Sequence, residues 1–339
     1  MVVQTSDFVY DLPAAAIAQV PAEPRDSARL LVAEGLQDRR FADLPDLLAA
    51  GDLVVVNRTR VRRARLRGHK EGSGGRVEAL LLRPTPAGWE ALVRPARRLR
   101  PGARLRFGGI RAVVEDGPDR GQALLSLDAG EVPLEEALDR WGEIPFPPYF
   151  TGRLQDPERY QTVYAARPGS AAAPTAGLHF TPEVLARLGK RGIEVAAVEL
   201  GIGVDTFRPI AAARLEDHRM HREEYLIDEE AAAAVAAARR RGGRVVAVGT
   251  TVVRALESAA DAGGAIRPGP GSTDLFITPG FSFRVVDLLV TNFHVPGSTL
   301  VVLIAAFLGE SWRELYGVAL ERGYRFLSFG DAMLAGRAG

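Results

Sequence analysis

Short apolar stretches separated by turn residues fill the segment 63–150. Gly, Pro and Asp residues interrupt these stretches, which lie at 77–82, 89–93, 103–107, 110–114 and 123–127. Short strands with frequent turns are typical of an antiparallel barrel or sandwich. The pattern changes at 141–150, where three prolines disfavour helix and indicate an extended connector. We therefore predict a small antiparallel β-domain over 63–150.

The segments on both sides alternate apolar strands with helices. A Thr-Pro-Glu run at 181–183 combines a capping hydroxyl, a first-turn proline and a first-turn acid, and Gly192 marks the end of the predicted helix. An apolar strand follows at 193–200. Asp228 is predicted to cap a second, alanine-rich helix, which the glycine pair at 242–243 ends.

The same alternation continues towards the C-terminus. We predict a strand at 244–248, a turn at Gly249 that opens a helix over 252–262, a strand at 285–290, and a helix from about Ser298. Strands that alternate with helices are typical of a parallel sheet covered by helices. The predicted fold class is therefore α/β, with a larger α/β domain made of 1–62 and 151–339 and an inserted small antiparallel β-barrel domain at 63–150.

The composition narrows the class of protein. Of 339 residues, 47% are hydrophobic and 25% are charged, which is close to the average for a soluble globular enzyme. The chain has no cysteine, so disulfides, a thiolate nucleophile and cysteine-ligated metal sites are excluded. The longest apolar run, at 300–308, is about half of the ~20 residues that a membrane-spanning helix needs. Nothing at the N-terminus resembles a secretory signal, and we expect a cytoplasmic protein.

Charge is distributed unevenly along the chain. The segment 58–111 holds sixteen lysines and arginines and three glutamates, so it carries thirteen net positive charges although the whole chain carries only one. A basic segment inside an otherwise acidic chain is typical of a protein that binds a polyanion such as nucleic acid. The alternative is an arginine-rich solvated surface in a heat-adapted or GC-rich proteome.

Two histidines lie in segments that, by their position next to predicted strands and helices, are typical of ligand sites in α/β proteins. One comes shortly after a glycine and the other shortly after an asparagine. His179 lies in the run AAPTAGLHFT at 172–181, just before a predicted helix start, and His294 lies in the run TNFHVPGSTL at 291–300, after a predicted strand. Imidazole exchanges protons near neutral pH, and polar groups at the carboxyl end of a strand face the ligand crevice of such folds. The alternative roles are a structural hydrogen bond for His179 and turn or cap chemistry for the second run.

Two further runs contain candidate groups. The run HRMHRE at 218–223 has neither the paired-histidine spacing of zinc peptidases nor a cysteine ligand, so we predict no metal and favour a hydrogen bond between His221 and Glu223. The run GTTVVRALES at 249–258 offers a helix start and Arg254 to an anion, although Gly and Thr are common at helix starts. Neither a GxGxxG fingerprint after a strand nor a P-loop is present.

Together, these runs resemble the S-adenosylmethionine:tRNA ribosyltransferase-isomerases of queuosine biosynthesis. The resemblance covers nearly the whole chain and includes, besides the four runs above, DFVY at 7–10, LP at 12–13, RDSARLLV at 25–32, NRTRV at 57–61, YA at 164–165, GS at 169–170, GVDTFRP at 203–209, TDLFITPG at 273–280, YRF at 324–326 and GDAML at 330–334. The chain departs from the family pattern at Arg58, Val252 and Phe329.

The resemblance implies transfer and isomerisation of the ribosyl group of S-adenosylmethionine onto 7-aminomethyl-7-deazaguanine at the tRNA wobble position. Epoxyqueuosine-tRNA, adenine and methionine are the implied products. S-adenosylmethionine is then a co-substrate, no cofactor is expected to stay bound, and we expect a monomer without membrane contact. The reaction needs a base that removes a proton from C5′ and an acid that helps adenine leave.

The resemblance also guides the assignment of site residues. His179 and His294 are the leading acid–base candidates, with His221 and Glu223 after them. We expect S-adenosylmethionine to contact the 249–254 turn and the 291–294 loop, through Gly249, Thr250, Thr251, Arg254, Thr291, Asn292 and Phe293. The arginines expected to contact the anticodon stem-loop are Arg58, Arg60, Arg62, Arg94, Arg97 and Arg98.

Two other functions are compatible with parts of the sequence. A non-catalytic RNA-binding protein is supported by the basic β-domain alone and leaves the three histidine-bearing runs unexplained. An ordinary S-adenosylmethionine methyltransferase is supported only by the strand–glycine–helix turn at 244–262. The reaction products distinguish the three hypotheses.

Overall fold

The computed structural model describes residues 3–152, 154–203 and 209–338. The chain forms two compact units. The first, called the α/β unit, consists of Met1–Arg60, Pro147–Arg167 and Ala173–Gly339. The second, called the barrel unit, consists of Val61–Phe146 and Pro168–Ala172.

The regular elements are numbered in chain order. The strands are β1 (Arg29–Val32), β2 (Gln37–Arg40), β3 (Leu53–Asn57), β4 (Thr59–Val61), β5 (Arg65–Lys70), β6 (Arg76–Thr85), β7 (Gly88–Arg94), β8 (Arg104–Phe107), β9 (Ile110–Asp119), β10 (Gln122–Asp128), β11 (Arg167–Ser170), β12 (Glu194–Leu200), β13 (Glu223–Ile227), β14 (Val245–Val248), β15 (Gly269–Thr273), β16 (Leu288–Asn292) and β17 (Ala332–Gly336). The α-helices are α1 (Leu44–Leu47), α2 (Leu134–Trp141), α3 (Pro182–Lys190), α4 (Glu229–Arg240), α5 (Thr250–Ala259), α6 (Thr299–Leu308) and α7 (Ser311–Glu321).

The α/β unit is built on a nine-stranded mixed sheet with the order β15-β13-β12-β3-β14-β16-β17-β1-β2. Its four neighbouring strands β12, β3, β14 and β16 run parallel, and antiparallel pairs flank them. Every residue of β3 and β14 is buried. Continuous apolar runs such as Leu53–Val56 are typical of central parallel strands, because helices cover both of their faces.

The barrel unit is a closed antiparallel barrel of six strands, in the order β10-β7-β6-β5-β8-β9. Alternate residues Val77, Ala79 and Leu81 of β6 are buried in its core, as the period of two along a strand requires. Helix α2 packs Trp141 over the β8–β9 turn. A Cβ atom at Gly109 would lie 2.4 Å from the Trp141 ring, so only glycine permits this close approach. The predicted fold class, α/β with a small antiparallel β-barrel, is confirmed.

The predicted helix caps are confirmed by geometry. The Thr181 hydroxyl accepts a hydrogen bond from the Val184 N–H at 3.3 Å, and the Asp228 carboxylate accepts one from the Ala231 N–H at 2.9 Å. The chain leaves helix α3 through Gly192, whose φ is +72°. Within the described ranges, no helix combines the length and the apolar character that crossing a membrane requires.

Several predicted elements have different bounds in the structure, and two of them border the candidate site. The helix predicted over 252–262 spans Thr250–Ala259, and the strand predicted at 285–290 is Leu288–Asn292. The strand begins late because the buried Glu257 carboxylate accepts the N–H groups of Val285 and Val286, each at 3.0 Å. Thr291 and Asn292 therefore belong to the end of a strand and not to a loop. Several elements were not predicted, among them strand β5 and helix α2 of the barrel unit.

Candidate active site

The carboxyl ends of the four parallel strands meet at one edge of the sheet. Strand β12 ends at Leu200, β3 at Asn57 and β16 at Asn292, and Gly249 follows the end of β14. Ligands of open α/β sheets bind outside the carboxyl ends of the strands. The active site is therefore expected at this edge.

Asn57, which is completely buried, joins the ends of β3 and β12. Its amide Nδ2 donates to the Leu200 carbonyl at 3.0 Å, and its Oδ1 accepts the N–H groups of Leu200 at 3.3 Å and Thr59 at 3.1 Å. These bonds fix the point at which the chain leaves the sheet. Asn57 was part of a predicted motif, but its role was not predicted.

A cavity of about 570 Å³ lies at this edge and is called the Asn292 cavity. The ends of β14 and β16 and the first turn of α5 form one part of its lining, called its floor, and Tyr149 and Ser328 line it as well. Six of the seven predicted S-adenosylmethionine contacts line it: Gly249, Thr250, Thr251, Thr291, Asn292 and Phe293. His294 lines it as well. The structure thus brings together the two segments that were expected to contact S-adenosylmethionine.

Asn292 makes three hydrogen bonds at the floor of this cavity. Its Nδ2 donates to the Asp331 carbonyl at 3.3 Å and to Nε2 of His179 at 3.2 Å, and its Oδ1 accepts the Thr175 hydroxyl at 2.9 Å. The Asp331 carbonyl is only an acceptor, so it fixes which end of the amide carries the hydrogens. Nε2 of His179 is therefore the acceptor, and this imidazole is neutral with its proton on Nδ1.

His179 lies behind the floor of the Asn292 cavity and does not line it. It borders a smaller cavity beside Arg25 and Arg159, and its ring packs against Phe41 with 5.0 Å between centroids. Burial lowers the pKa of His179 from 6.5 to about 4. The side chain is thus neutral at pH 7, and its link to the cavity runs through Asn292.

His294 lines the Asn292 cavity and is also neutral. Burial lowers its pKa to about 3. Nδ1 lies 3.0 Å from the Tyr316 hydroxyl, Nε2 lies 3.2 Å from the Thr291 hydroxyl, and the His294 carbonyl accepts a hydrogen bond from the Tyr10 hydroxyl. Tyr10 and Tyr316 were not predicted to contact this histidine, because they are far from it in the sequence.

A second, larger cavity of about 990 Å³ adjoins the first and is called the Arg254 cavity. The two share Thr250, Thr251 and Leu300 in their walls. The predicted candidates His221 and Glu223 line the Arg254 cavity. The four acid–base candidates therefore lie around three cavities, two of which adjoin. No group of three or more potential metal-ligating side chains is present in the described ranges.

A buried ion pair forms the polar wall of the Arg254 cavity. Glu223 and Arg254 are 7% and 6% exposed, and Nη1 of Arg254 donates to the Glu223 carboxylate. The other Glu223 oxygen accepts the Gly203 N–H at 3.2 Å, and Nε of Arg254 donates to the Leu275 carbonyl at 3.0 Å. The predicted hydrogen bond between His221 and Glu223 stays a prediction; the structure shows a charged arginine partner for this carboxylate. The pairing was missed because its members are 31 residues apart.

The helix start between the two cavities suits an anion. Gly249, whose φ is +90°, ends β14 and begins α5, so the first-turn residues Thr250 and Thr251 face both cavities. The first N–H groups of a helix lack intrahelical partners and favour negative charge. A positive φ favours glycine at this position.

The six predicted RNA-contacting arginines form two groups. Three are paired with carboxylates: Arg58 with Glu199 at 2.9 Å and Asp228 at 3.1 Å, Arg60 with Glu158 at 2.7 Å, and Arg62 with Glu135 at 2.9 Å. The other three, Arg94, Arg97 and Arg98, are exposed on the barrel unit and have no ion-pair partner in the described part of the chain. Of the run predicted at 203–209, residues 204–208 lie outside the described residues.

Known proteins resemble this chain over almost its full length. A family model described as queuosine biosynthesis protein matches residues 5–335. The S-adenosylmethionine:tRNA ribosyltransferase-isomerase of Moorella thermoacetica is 51% identical, over 97% of this chain and 98% of that protein. The protein of the same name from Gloeobacter violaceus is 54% identical, over 97% of this chain and 95% of that protein.

A solved structure gives the same relationship. The crystal structure of S-adenosylmethionine tRNA ribosyltransferase from Thermotoga maritima is 35% identical and has a TM-score of 0.55. The match covers 97% of this chain and 99% of that one. The resemblance inferred from the sequence motifs is therefore confirmed, and this chain belongs to the queuosine biosynthesis protein family.

Proposed function

We propose that this chain is an S-adenosylmethionine:tRNA ribosyltransferase-isomerase. It transfers the ribosyl group of S-adenosylmethionine to 7-aminomethyl-7-deazaguanine at the tRNA wobble position and releases adenine and methionine. One observation carries the proposal: in a chain about half identical to enzymes of that name, the family's histidine- and threonine-containing runs line adjoining cavities at one sheet edge.

The bonds that break and form in this reaction determine which groups the site must provide. The bonds from the ribosyl group to adenine and to sulfur break, and their electron pairs stay with the adenine nitrogen and with sulfur, which becomes the thioether of methionine. A new bond joins the aminomethyl nitrogen to the ribosyl group. The isomerisation breaks one bond of the ribose ring oxygen and gives C5′ two new bonds, one to C1′ that closes a carbocycle and one to that oxygen, which becomes the epoxide. Protons leave C5′ and the amine; one reaches adenine and the other is released to solvent. Bases, proton donors and fixed dipoles are therefore required.

His294 is our first candidate for proton transfer at the Asn292 cavity. Its lowered pKa leaves roughly one imidazole in ten thousand protonated at pH 7, so it begins the reaction as an acceptor or a neutral hydrogen-bond donor. Thr291 and Tyr316 hold the ring on both sides. His179, also neutral, acts on the same cavity through Asn292 and is therefore a positioning residue.

His221 and Glu223 are the acid–base candidates of the Arg254 cavity. Both line this cavity, and Glu223 is held by Arg254 and by a backbone N–H group. A carboxylate near the bound sulfonium would attract its positive charge. We assign the S-adenosylmethionine contacts to Gly249, Thr250, Thr251, Arg254, Thr291, Asn292 and Phe293.

The contacts to tRNA phosphates in this proposal come mainly from the barrel unit, with Arg58 and Arg60 of the α/β unit added to them. Arg94, Arg97 and Arg98 supply most of these contacts, because they are exposed and have no ion-pair partner within the described residues. Arg58, Arg60 and Arg62 contribute where phosphate replaces their carboxylate partners. We expect a cytoplasmic monomer with S-adenosylmethionine as co-substrate and no permanently bound cofactor.

Product analysis tests the proposal. Purified protein is incubated with S-adenosylmethionine and tRNA that carries the precursor base, and the small products are separated by chromatography. Adenine and methionine in equal amounts are expected. S-adenosylhomocysteine would indicate methyl transfer, and unchanged S-adenosylmethionine would indicate a protein that only binds. Either result contradicts the proposal.

A further inference from the structure

The Arg254 cavity contains a buried cation whose hydrogen-bonding capacity is incompletely used. Nε and Nη1 of Arg254 have acceptors in Leu275 and Glu223, but Nη2 has no acceptor among the described residues and is shielded from solvent. Buried donors in native proteins almost always have a partner, so an unpaired one calls for an explanation. A ligand that brings an anionic oxygen into the cavity would supply one.

The pair of Glu223 and Arg254 has the charge pattern of a receptor for a zwitterion. A guanidinium binds a carboxylate through paired N–H groups, and a carboxylate binds an ammonium group. Thr250 and Thr251, at the start of helix α5, border the same space and add a second feature that favours an anion. The α-amino-acid end of a ligand carries both charges on one carbon atom.

The position of the cavity restricts which part of the ligand it takes. The Arg254 cavity shares a wall with the Asn292 cavity, which contains His294. A ligand that spans the wall at Thr250 and Thr251 would place its two ends in different surroundings. Phe276 and Leu303 provide apolar surface beside the ion pair, which suits the methylene groups of an amino-acid side chain.

We propose that the Arg254 cavity binds the amino-acid end of S-adenosylmethionine, with the Arg254 guanidinium turned to the α-carboxylate and Glu223 to the α-ammonium group, and that this contact selects against ligands without a carboxylate. The inference rests on the proposed function, because it takes S-adenosylmethionine as the substrate. It makes Arg254 a specificity-determining residue, beyond its general assignment to the substrate site.

Decarboxylated S-adenosylmethionine tests this assignment, because it keeps the sulfonium and the nucleoside and lacks only the carboxylate. Adenine release and calorimetric binding are measured with both compounds for the wild type and for Arg254→Gln. The wild type should bind S-adenosylmethionine at least tenfold more tightly than the decarboxylated compound. Arg254→Gln should weaken binding of S-adenosylmethionine at least tenfold and change binding of the decarboxylated compound less than twofold.

Matched variants separate specificity from loss of structure. Arg244→Gln removes an ion pair with Asp52 at the opposite end of β14 and should leave the ratio of the two affinities unchanged. If Arg254→Gln does not fold, Arg254→Lys, which keeps the charge without the planar fork, should lower the ratio. Equal weakening of both compounds, or a wild type without preference, overturns the inference. A wild type that releases no adenine from S-adenosylmethionine contradicts the proposed function instead.

Discussion

The amide of Asn292 donates a hydrogen bond to Nε2 of His179 over 3.2 Å and so connects the floor of a cavity with a histidine that the cavity does not reach. The two residues are 113 positions apart. The Asp331 carbonyl accepts the other hydrogen of the same amide nitrogen, so this nitrogen is the donor to His179. Nε2 of His179 must then accept, which requires a neutral imidazole. Any effect of His179 on the substrate then passes through the position of Asn292.

Replacement of Asn292 should therefore affect both stability and activity. Asn292→Leu leaves His179, Thr175 and the Asp331 carbonyl without this partner, at a cost of about 1–3 kcal/mol for each buried group left unpaired. Adenine release should fall about 100-fold, as expected for a misplaced catalytic site. Urea unfolding and steady-state kinetics measure the two effects.

Thr175→Val is the control for Asn292, because it removes only the Thr175 hydroxyl from the network. It should cost less stability than Asn292→Leu and retain most of the activity. If both variants behave alike, or if Asn292→Leu is as active as the wild type, the link between Asn292 and His179 does not matter for function.

The two buried histidines should make stability depend on pH. Their pKa values in the folded chain, about 4 for His179 and about 3 for His294, lie below the value of 6.5 that applies when unfolded. Between these values the unfolded chain takes up protons that the folded chain does not. Stability is therefore complete above about pH 6.5 and falls as the pH decreases towards 4, by up to about 1.4 kcal/mol per pH unit for each histidine.

Urea unfolding at a series of pH values from 5 to 8 measures this dependence. His179→Gln and His294→Gln should each reduce the slope below pH 6.5, because a glutamine does not titrate. Carboxylates are present in wild type and variants alike, so the difference between slopes isolates the histidine contribution. Identical slopes in all three proteins would show that the folded histidines are not held neutral.

The exposed arginines of the barrel unit should determine how tRNA affinity depends on salt. Arg94, Arg97 and Arg98 changed together to Gln should weaken tRNA binding, and each lost phosphate contact should reduce the slope of log K against log salt by about 0.7–0.9. Filter binding or fluorescence anisotropy at several salt concentrations provides the slope.

Arg83 and Arg111 provide the matched control, because they belong to the same barrel but are paired with Glu90 and Asp128, each at 2.6 Å. Changing both to Gln should alter the slope much less than the triple variant does. A triple variant with the wild-type affinity and slope would remove these three arginines from the tRNA-binding surface.

Gly177 should not tolerate a side chain because of Tyr164. A Cβ atom at this position would lie 2.1 Å from the buried Tyr164 hydroxyl, which has no hydrogen-bond partner among the described residues. Gly177→Ala should destabilise the protein by about 1–3 kcal/mol through overpacking. Tyr164→Phe should be nearly neutral by itself and should relieve part of the cost in the double variant.

Urea unfolding of the two single variants and the double variant gives the coupling energy, expected to be about 0.5–3 kcal/mol and stabilising. Gly189→Ala, at a helix position with no atom within 4 Å of the added carbon, should instead leave stability unchanged or increase it. Additive effects of Gly177→Ala and Tyr164→Phe would contradict the predicted clash.

Local interactions explain which parts of the fold were predictable. The caps at Thr181 and Asp228 involve residues three positions apart, so sequence spacing reveals them. The buried strand at 245–248 is recognisable from its continuous apolar run. The predicted start of β16 was wrong because Glu257, 28 positions before Val285, binds the backbone ahead of the strand.

The candidate site, like the fold, was predictable only where the interactions are local in the sequence. The resemblance to family motifs identified the runs that line the two cavities, because each run is continuous in the sequence. The hydrogen-bond and ion-pair partners within the site were not predictable. The pairs Arg254–Glu223 and His294–Tyr316 form only after the chain has folded. The carboxylate partners of Arg58, Arg60 and Arg62 were missed for the same reason.

The fate of the ribosyl carbons is the most direct test of the central claim. S-adenosylmethionine labelled with ¹³C throughout its ribose is incubated with the protein and tRNA that carries 7-aminomethyl-7-deazaguanine, and the digested nucleosides are analysed by mass spectrometry. The account predicts that the wobble nucleoside acquires all the labelled ribosyl carbons as unlabelled methionine is released. A wobble nucleoside that stays unlabelled while S-adenosylmethionine is consumed would contradict it.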